Sequence, residues 1–190
     1  MSAHAAILPR LDDTGLLKEV VGGCPRPLLD KLRQAVGARG SWQQTADRVG
    51  AVLRDNLPGP EILTAEQLQG DPGGYQTHLL HVEPDGSFSV TAMVWLPGQE
   101  TPVHDHLTWC VTAVMRGAEY EEIYADEGDH LRVVARNVNG VGEIGAFAPP
   151  GDIHLVRNEG DGVAVSMHIY GTDISRVGSS VRRVYDLPVR

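Results

Sequence analysis

The stretch Gly98-Gln-Glu-Thr-Pro-Val-His104-Asp-His106 decides how the whole chain is read. On an extended segment residues i and i+2 project to the same face, so the His104 and His106 imidazoles can reach one ion. If the segment belongs to a small β-barrel, that face is the interior, which is normally apolar. An inward polar pair is costly there unless a ligand satisfies it, and a bound metal removes the cost. Continued through an unbroken strand, the same parity puts Thr108 and Cys110 with the histidines and Leu107, Trp109 and Val111 opposite; a bulge would reverse this.

A third imidazole comes from Pro149-Pro150-Gly151-Asp152-Ile153-His154. The Pro-Pro-Gly turn fixes the entry into a new strand, where His154 can be aimed into the barrel mouth. Three neutral imidazoles leave open positions on a metal that prefers five or six ligands. Further on, Ser166-Met167-His168-Ile169-Tyr170 sets Ser, His and Tyr at i, i+2 and i+4, with Val165, Met167 and Ile169 on the other face. On a strand this is a row close enough for a hydrogen-bond chain, and such a row can position a phenol against a reacting atom.

The rest of the chain supplies a frame for these segments. From about residue 15 to 57 apolar residues recur at helical spacing, as in Leu28, Leu29, Leu32 and Val36, then Ala46, Val49, Val52 and Leu53, which predicts two or three short helices. After Pro58 the texture changes to Pro, Gly and Asp clusters between short runs rich in Val, Thr and aromatic residues. Strands are predicted over 75–82, 88–95, 109–115, 119–124, 130–136, 144–148, 153–157 and 163–170. Without crossover helices between them, they form an antiparallel barrel or jelly roll. The expected organisation is a helical segment over 1–58 packed on a barrel with a C-terminal extension over 59–190, one structural domain overall.

Composition narrows the function. A chain of 190 residues is long enough for one substantial core. The net charge of −9 and a pI near 5.3, with Lys and Arg scattered, argue against nucleic acid as a partner. No long apolar run and no basic segment leading into an apolar one is present, so neither membrane nor export is expected and the expected location is cytoplasmic. Only Cys24 and Cys110 are available, which excludes a disulfide framework and a four-thiolate zinc site. His4, His78, His81 and His130 carry no motif and read as surface or locally bonded; Glu119, Glu121 and Glu122 read as a solvated strand edge. Oligomeric state is not legible.

The first segment resembles the first cupin motif, Gly-x5-His-x-His-x3-Glu-x6-Gly, from Gly98 through His104 and His106 to Gly117, with Cys110 in place of the Glu. The second resembles the core of the second cupin motif, Pro-x-Gly-x2-His-x3-Asn, from Pro149 through Gly151 and His154 to Asn158. A cupin that lacks the Glu ligand, keeps three histidines and carries Ser-x-His-x-Tyr is similar to the thiol dioxygenases, among them cysteine dioxygenase and 3-mercaptopropionate dioxygenase. The resemblance runs from about Tyr75 to Tyr170. It implies a mainly β fold, the cupin double-stranded β-helix, with N-terminal α-helices. It also implies one Fe(II) per chain on His104, His106 and His154, O2 as co-substrate, and a small thiol converted to a sulfinate. Ser166 and His168 would orient Tyr170, and Cys110 stands where cysteine dioxygenase forms a thioether with its active-site tyrosine. A small buried hydrophobe is the other reading of Cys110.

Substrate residues are less defined. Cysteine dioxygenase places an Arg two residues after the tyrosine corresponding to Tyr75 to clamp a carboxylate; Thr77 stands there instead. Mercaptopropionate dioxygenases use an Arg beyond the Ser-x-His-x-Tyr strand, where Arg176, Arg182 or Arg183 could serve by position, and a bidentate Arg suits a thiol acid. The expectation is therefore a 3-mercaptopropionate-like thiol acid, with cysteine, mercaptosuccinate and the thione ergothioneine open. Trp109-Cys110 departs from the Trp-Gly of the mercaptopropionate branch, and Trp95 or Trp109 could wall the substrate. The rival reading is a non-catalytic metal-binding cupin acting as a small-molecule sensor or binding module.

Overall fold

A computed structural model describes residues 23–190. The expected helical stretch from 15 to 22, and His4, lie outside the described residues. Helix α1 (Arg26–Gly37) starts on a proline, and α2 (Trp42–Asn56) opens on a capping box. In that box the Gln44 N–H donates to the Ser41 hydroxyl at 3.2 Å, and the Ser41 N–H donates to Gln44 Oε1 at 2.9 Å. Each helix buries one stripe, Leu28, Leu29 and Leu32 on α1 and Ala46, Val49 and Leu53 on α2. Among the described residues no helix is long and apolar enough to cross a membrane.

Ten strands follow. They are β1 (Gln76–Val82), β2 (Ser89–Trp95), β3 (His104–His106), β4 (Cys110–Arg116) and β5 (Ala118–Asp126), then β6 (Leu131–Gly140), β7 (Ile144–Phe147), β8 (His154–Arg157), β9 (Ala164–Tyr170) and β10 (Val181–Val184). A short helix α3 (Ile174–Val177) precedes the last. The strands form two five-stranded antiparallel sheets, ordered β1-β2-β9-β4-β7 and β10-β3-β8-β5-β6. This is the jelly-roll barrel with N-terminal helices that the motifs implied.

Alternation along the first sheet builds two interiors at once. Val90, Ala92 and Val94 of β2, Val111, Ala113 and Met115 of β4, and Val165, Met167 and Ile169 of β9 pack with the stripes of α1 and α2 in one core. Their neighbours of opposite parity, Thr91, Met93 and Trp95 on β2 and His168 and Tyr170 on β9, line a cavity between the sheets. Gly50 brings α2 close to the sheet: a Cβ there would stand 3.3 Å from Ile144 Cγ2. Gly117 turns β4 into β5 with φ of +73°, and a Cβ would meet the Ala164 backbone at 3.1 Å, so the last Gly of the first motif is set by space and conformation.

Two strands differ from expectation. The histidine segment is a strand of only three residues, and Leu107–Trp109 interrupt it before β4 joins the other sheet, so the unbroken strand is corrected. Parity nevertheless survives: Cys110 is the cross-strand partner of Tyr170, while Trp109 joins the core on the helix side. Strand β10 had no counterpart in the sequence reading. Leu53 is fully buried in the helix-side core, and Leu53→Ala should cost about 2–5 kcal/mol of stability through the cavity it leaves. Chemical denaturation would read the loss, and metal stoichiometry should be unchanged because the helices lie outside the barrel.

Candidate metal centre

Strands β3 and β8 deliver the three imidazoles. His104 and His154 are cross-strand partners, and His106 follows on the same face as His104. Ring centroids lie 4.7 to 5.0 Å apart, and one nitrogen from each ring falls within 4.8 Å of the others. All three residues are buried. The cluster could hold a metal ion.

Hydrogen bonds fix how each ring presents itself. His104 Nδ1 donates to the Pro102 carbonyl at 2.9 Å, His106 Nδ1 to Asp152 Oδ2 at 3.0 Å and His154 Nδ1 to Glu121 Oε1 at 2.8 Å. With Nδ1 engaged as donor, Nε2 of each neutral ring carries its lone pair toward the shared point. His154 Nε2 is buried without any hydrogen-bond partner. A buried lone pair left empty is costly, so the donor set fits a cation. Burial pushes the His104 and His106 pKa values down, with the neighbouring imidazoles adding to the effect, and this keeps the rings neutral as ligands must be.

The supporting carboxylates lie inside the barrel wall. Burial would raise Asp152 and Glu121, but hydrogen bonds and charge from His106 and His154 hold both below their ordinary values. Asp152 also accepts the His106 backbone N–H at 3.1 Å, and Glu121 accepts Asn137 Nδ2 at 3.1 Å. The solvated-edge reading of the glutamates is therefore corrected: Glu119 and Glu121 are 2% and 4% exposed. Only Glu122 is close to that description, bonding Tyr120 and Arg136 on the outer face.

The Ser–His–Tyr row is present on β9. Ser166 Oγ lies 2.9 Å from His168 Nε2, and the Tyr170 hydroxyl lies 3.2 Å from His168 Nδ1. Burial lowers His168 to about 3, which leaves it neutral, and raises Tyr170 well above its ordinary range. The Tyr170 ring centroid is 6.2 Å from that of His106. Burial, then the charges of Asp152, Glu121 and Glu119, push the Cys110 thiol up, so it stands beside Tyr170 as a neutral group.

One cavity of about 250 Å³ joins these groups. His104, His106, His154, His168 and Tyr170 line it together with Tyr75 and Thr77, and Trp95 stacks on Tyr75 with centroids 4.5 Å apart. The structure places the other substrate candidates elsewhere. Trp109 packs in the helix-side core, on the face opposite the histidines that strand parity gives it, so it does not wall the cavity. Arg176 is exposed on α3. Arg182 pairs with Asp105, and Arg183 pairs with Asp126 at 3.5 Å while covering the Tyr185 ring. Both point away because Val181 and Val184, partners of His106 and His104, take the inward positions of β10. Among the described residues no Lys or Arg lines the cavity.

Residues 66–182, more than half of the chain, match the family model for cysteine dioxygenase type I. The chain belongs to this family of cupin-type thiol dioxygenases. The match extends past both ends of the resemblance seen in the sequence and takes in Val181 and Arg182 of β10. Several solved structures are also similar. One is the TT1209 protein from Thermus thermophilus, 20% identical over 59% of this chain and 97% of that one, with a TM-score of 0.46. Another is a Cupin 2 conserved barrel domain protein from Salinispora arenicola, 21% identical over 60% and 87%, TM-score 0.43. A third is an RmlC-like cupin protein from Desulfovibrio desulfuricans, 23% identical over 57% and 92%, TM-score 0.42.

Sequence reasoning missed Asp152, Glu121, Met93 and the inward side of β10. Asp152 carried a signal, two residues before His154, and Glu119-Tyr-Glu121 had the parity of an inward pair. Asp152→Asn keeps the shape but removes the charge behind His106. It should weaken metal affinity by roughly 10–100-fold, as measured by chelator competition, with the fold intact by circular dichroism.

Proposed function

We propose that this protein is an Fe(II)-dependent thiol dioxygenase that adds both atoms of O2 to the sulfur of a small thiol, giving a sulfinate. The reading is carried by a cluster of three imidazoles without a carboxylate member, set in the wall of a cavity that Tyr170 also lines. His104, His106 and His154 would hold ferrous iron through three neutral nitrogens, and the bound ion, with its full positive charge, would supply an environment that favours a thiolate and the capacity to activate O2. The balance is simple: the thiol and one O2 become the sulfinic acid, sulfur being oxidised and oxygen reduced, so no external reductant is needed.

The chain's own residues position and shield. His168, held by Ser166, fixes the Tyr170 hydroxyl at the cavity surface, where it can share a hydrogen bond with substrate or oxygen. Met93, Trp95 and Val156 keep the sulfur end dry, which strengthens each polar contact made there. Thr77 and Tyr75 also line the cavity and offer polar contacts for the rest of the molecule, Tyr75 from beside Trp95.

The expectation of a thiol acid rested on Arg176, Arg182 or Arg183, and none of them lines the cavity. We therefore leave the substrate at a small thiol, with 3-mercaptopropionate, cysteine, cysteamine, mercaptosuccinate and ergothioneine as the panel to test. Iron-loaded protein should consume O2 with at least one of them and yield a sulfinate by mass. Uptake with none would return the protein to the sensor or binding-module reading. In Tyr170→Phe, turnover should fall by about 10- to 100-fold with iron occupancy unchanged; normal turnover would remove Tyr170 from the reaction.

A further inference from the structure

A second cavity, also of about 250 Å³, ends on the same histidine cluster. His154 lines both cavities and is the only described residue that does. Their rims lie in different parts of the fold. The first has Val184 of β10 at its exposed edge, whereas the second opens beside Gln43 of α2 and the exposed turn Pro150-Gly151 that precedes β8. One imidazole is thus shared by two approaches from solvent.

The two linings differ in charge. Among the described residues the first contains no carboxylate. The second contains Asp152 and Glu121, the groups that accept from His106 Nδ1 at 3.0 Å and from His154 Nδ1 at 2.8 Å. Asp152 is 7% exposed, and its Oδ1, the oxygen that His106 does not engage, is buried without a hydrogen-bond partner. A buried carboxylate oxygen left empty is costly, and a cation is the partner its charge calls for. At the rim the Gln43 amide donates to the Ala146 carbonyl at 3.3 Å and to Asp47 Oδ1 at 2.9 Å, which sets a further carboxylate at the mouth. No Lys or Arg lines this cavity among the described residues.

A divalent ion has to reach three buried imidazoles from water. In the first cavity the walls Met93, Trp95 and Val156 offer no oxygen in exchange for its hydration shell. A cleft of one sign does the opposite, because it concentrates the counter-ion and raises its rate of entry. Carboxylate oxygens suit hard ions, whereas imidazole nitrogens suit iron and zinc, so transfer of such an ion from Asp152 and Glu121 to the rings follows ligand preference. The carboxylates already touch the rings, and the transfer therefore spans a single side chain. It needs one movement, a turn of His154, whose ring Phe147 flanks at 5.3 Å between centroids.

We propose that the second cavity is the entry route of the metal ion: Asp152 and Glu121 take a divalent cation from solvent and pass it to His104, His106 and His154, leaving the first cavity to the organic substrate. The inference rests on the three imidazoles being a metal centre and not on the thiol chemistry. One route serves entry and exit, so narrowing it slows both by the same factor and leaves the equilibrium affinity alone. Removing a supporting carboxylate would instead change the rings themselves, which makes Ala148 on the cavity wall the better place to intervene.

The test is Co(II) uptake by the metal-stripped full chain, followed in a stopped-flow through quenching of tryptophan fluorescence, with affinity from chelator competition. Ala148→Phe should slow association and dissociation alike by about tenfold or more, the lower end of what a charged cleft adds to an on-rate, at unchanged affinity. Val184→Phe, at the rim of the first cavity, should leave both rates as they are. At the exposed rim of the second, Gln43→Glu should speed association and Gln43→Lys slow it, and the difference should shrink as salt rises. This pair decides if Ala148→Phe does not fold. Unchanged rates in Ala148→Phe, slowing in Val184→Phe instead, or equal rates in the Gln43 pair would overturn the proposal. So would an affinity loss in Ala148→Phe carried by faster dissociation, because that is damage to the centre and not to a route. Unaltered protein that takes up no Co(II) would sink the metal centre and the route with it, whereas uptake as expected without oxidation of any thiol sinks only the functional reading.

Discussion

Three neutral imidazoles buried side by side are tolerable only if every ring nitrogen has a partner, and the interior of this barrel is organised to meet that condition. One partner of each ring is built in: a backbone carbonyl for His104 and buried carboxylates for His106 and His154. The other side of each ring faces a common point. Taking one acceptor away would free a ring to rotate and lose the convergence, which is why the supporting groups matter nearly as much as the imidazoles. The carboxylates are themselves buried, a cost offset by the rings they hold together with the His106 backbone N–H on Asp152 and the Asn137 amide on Glu121. Local order here is therefore mutual, and a cation at the shared point would complete it.

The same condition explains the separation of the two interiors. The helix-side core is wholly apolar and needs only shape, so its residues follow the simple alternation of β2, β4 and β9. The cavity between the sheets holds the polar members of those strands, and each is tied to a neighbour: Trp95 to Ser166, Ser166 to His168, His168 to Tyr170. Strands β2 and β9, buried on both faces, carry stability on one side and chemistry on the other.

How much of this could be read beforehand depends on the length of the pattern. Strands β1, β2, β4, β5 and β9 run for seven residues or more and declare their alternation. Strand β3 has three residues, and its two histidines were legible only through the flanking motif, not as a strand. Strand β10 reads Val-Arg-Arg-Val, with its register shifted between Val181 and Arg183, so parity could not say which side the arginines take. Glu119 and Glu121 were misread because Glu122 beside them breaks the alternation and makes the run look solvated. The three imidazoles and the Ser–His–Tyr row were visible because function there uses residue types that an apolar interior would otherwise exclude. The supporting carboxylates were hidden because acidic residues are ordinary on a surface, and only burial makes them exceptional.

The distribution of charge bears directly on selectivity. The acidic side chains nearest the centre stand behind the rings rather than in the cavity, and the arginines of β10 face outward onto Asp105 and Asp126. What the cavity itself offers, among the described residues, is imidazole, phenol, hydroxyl and apolar surface. On the proposed reading the metal is then the one strong positive charge a substrate would meet, and a thiolate is the group best matched to it. The remainder of the substrate is left to be sorted by shape and by hydrogen bonds to Tyr75, Thr77 and Tyr170. Hydrogen bonds of that kind discriminate sharply only when their donor and acceptor roles are fixed, because a buried polar group facing the wrong partner costs more than a missing contact.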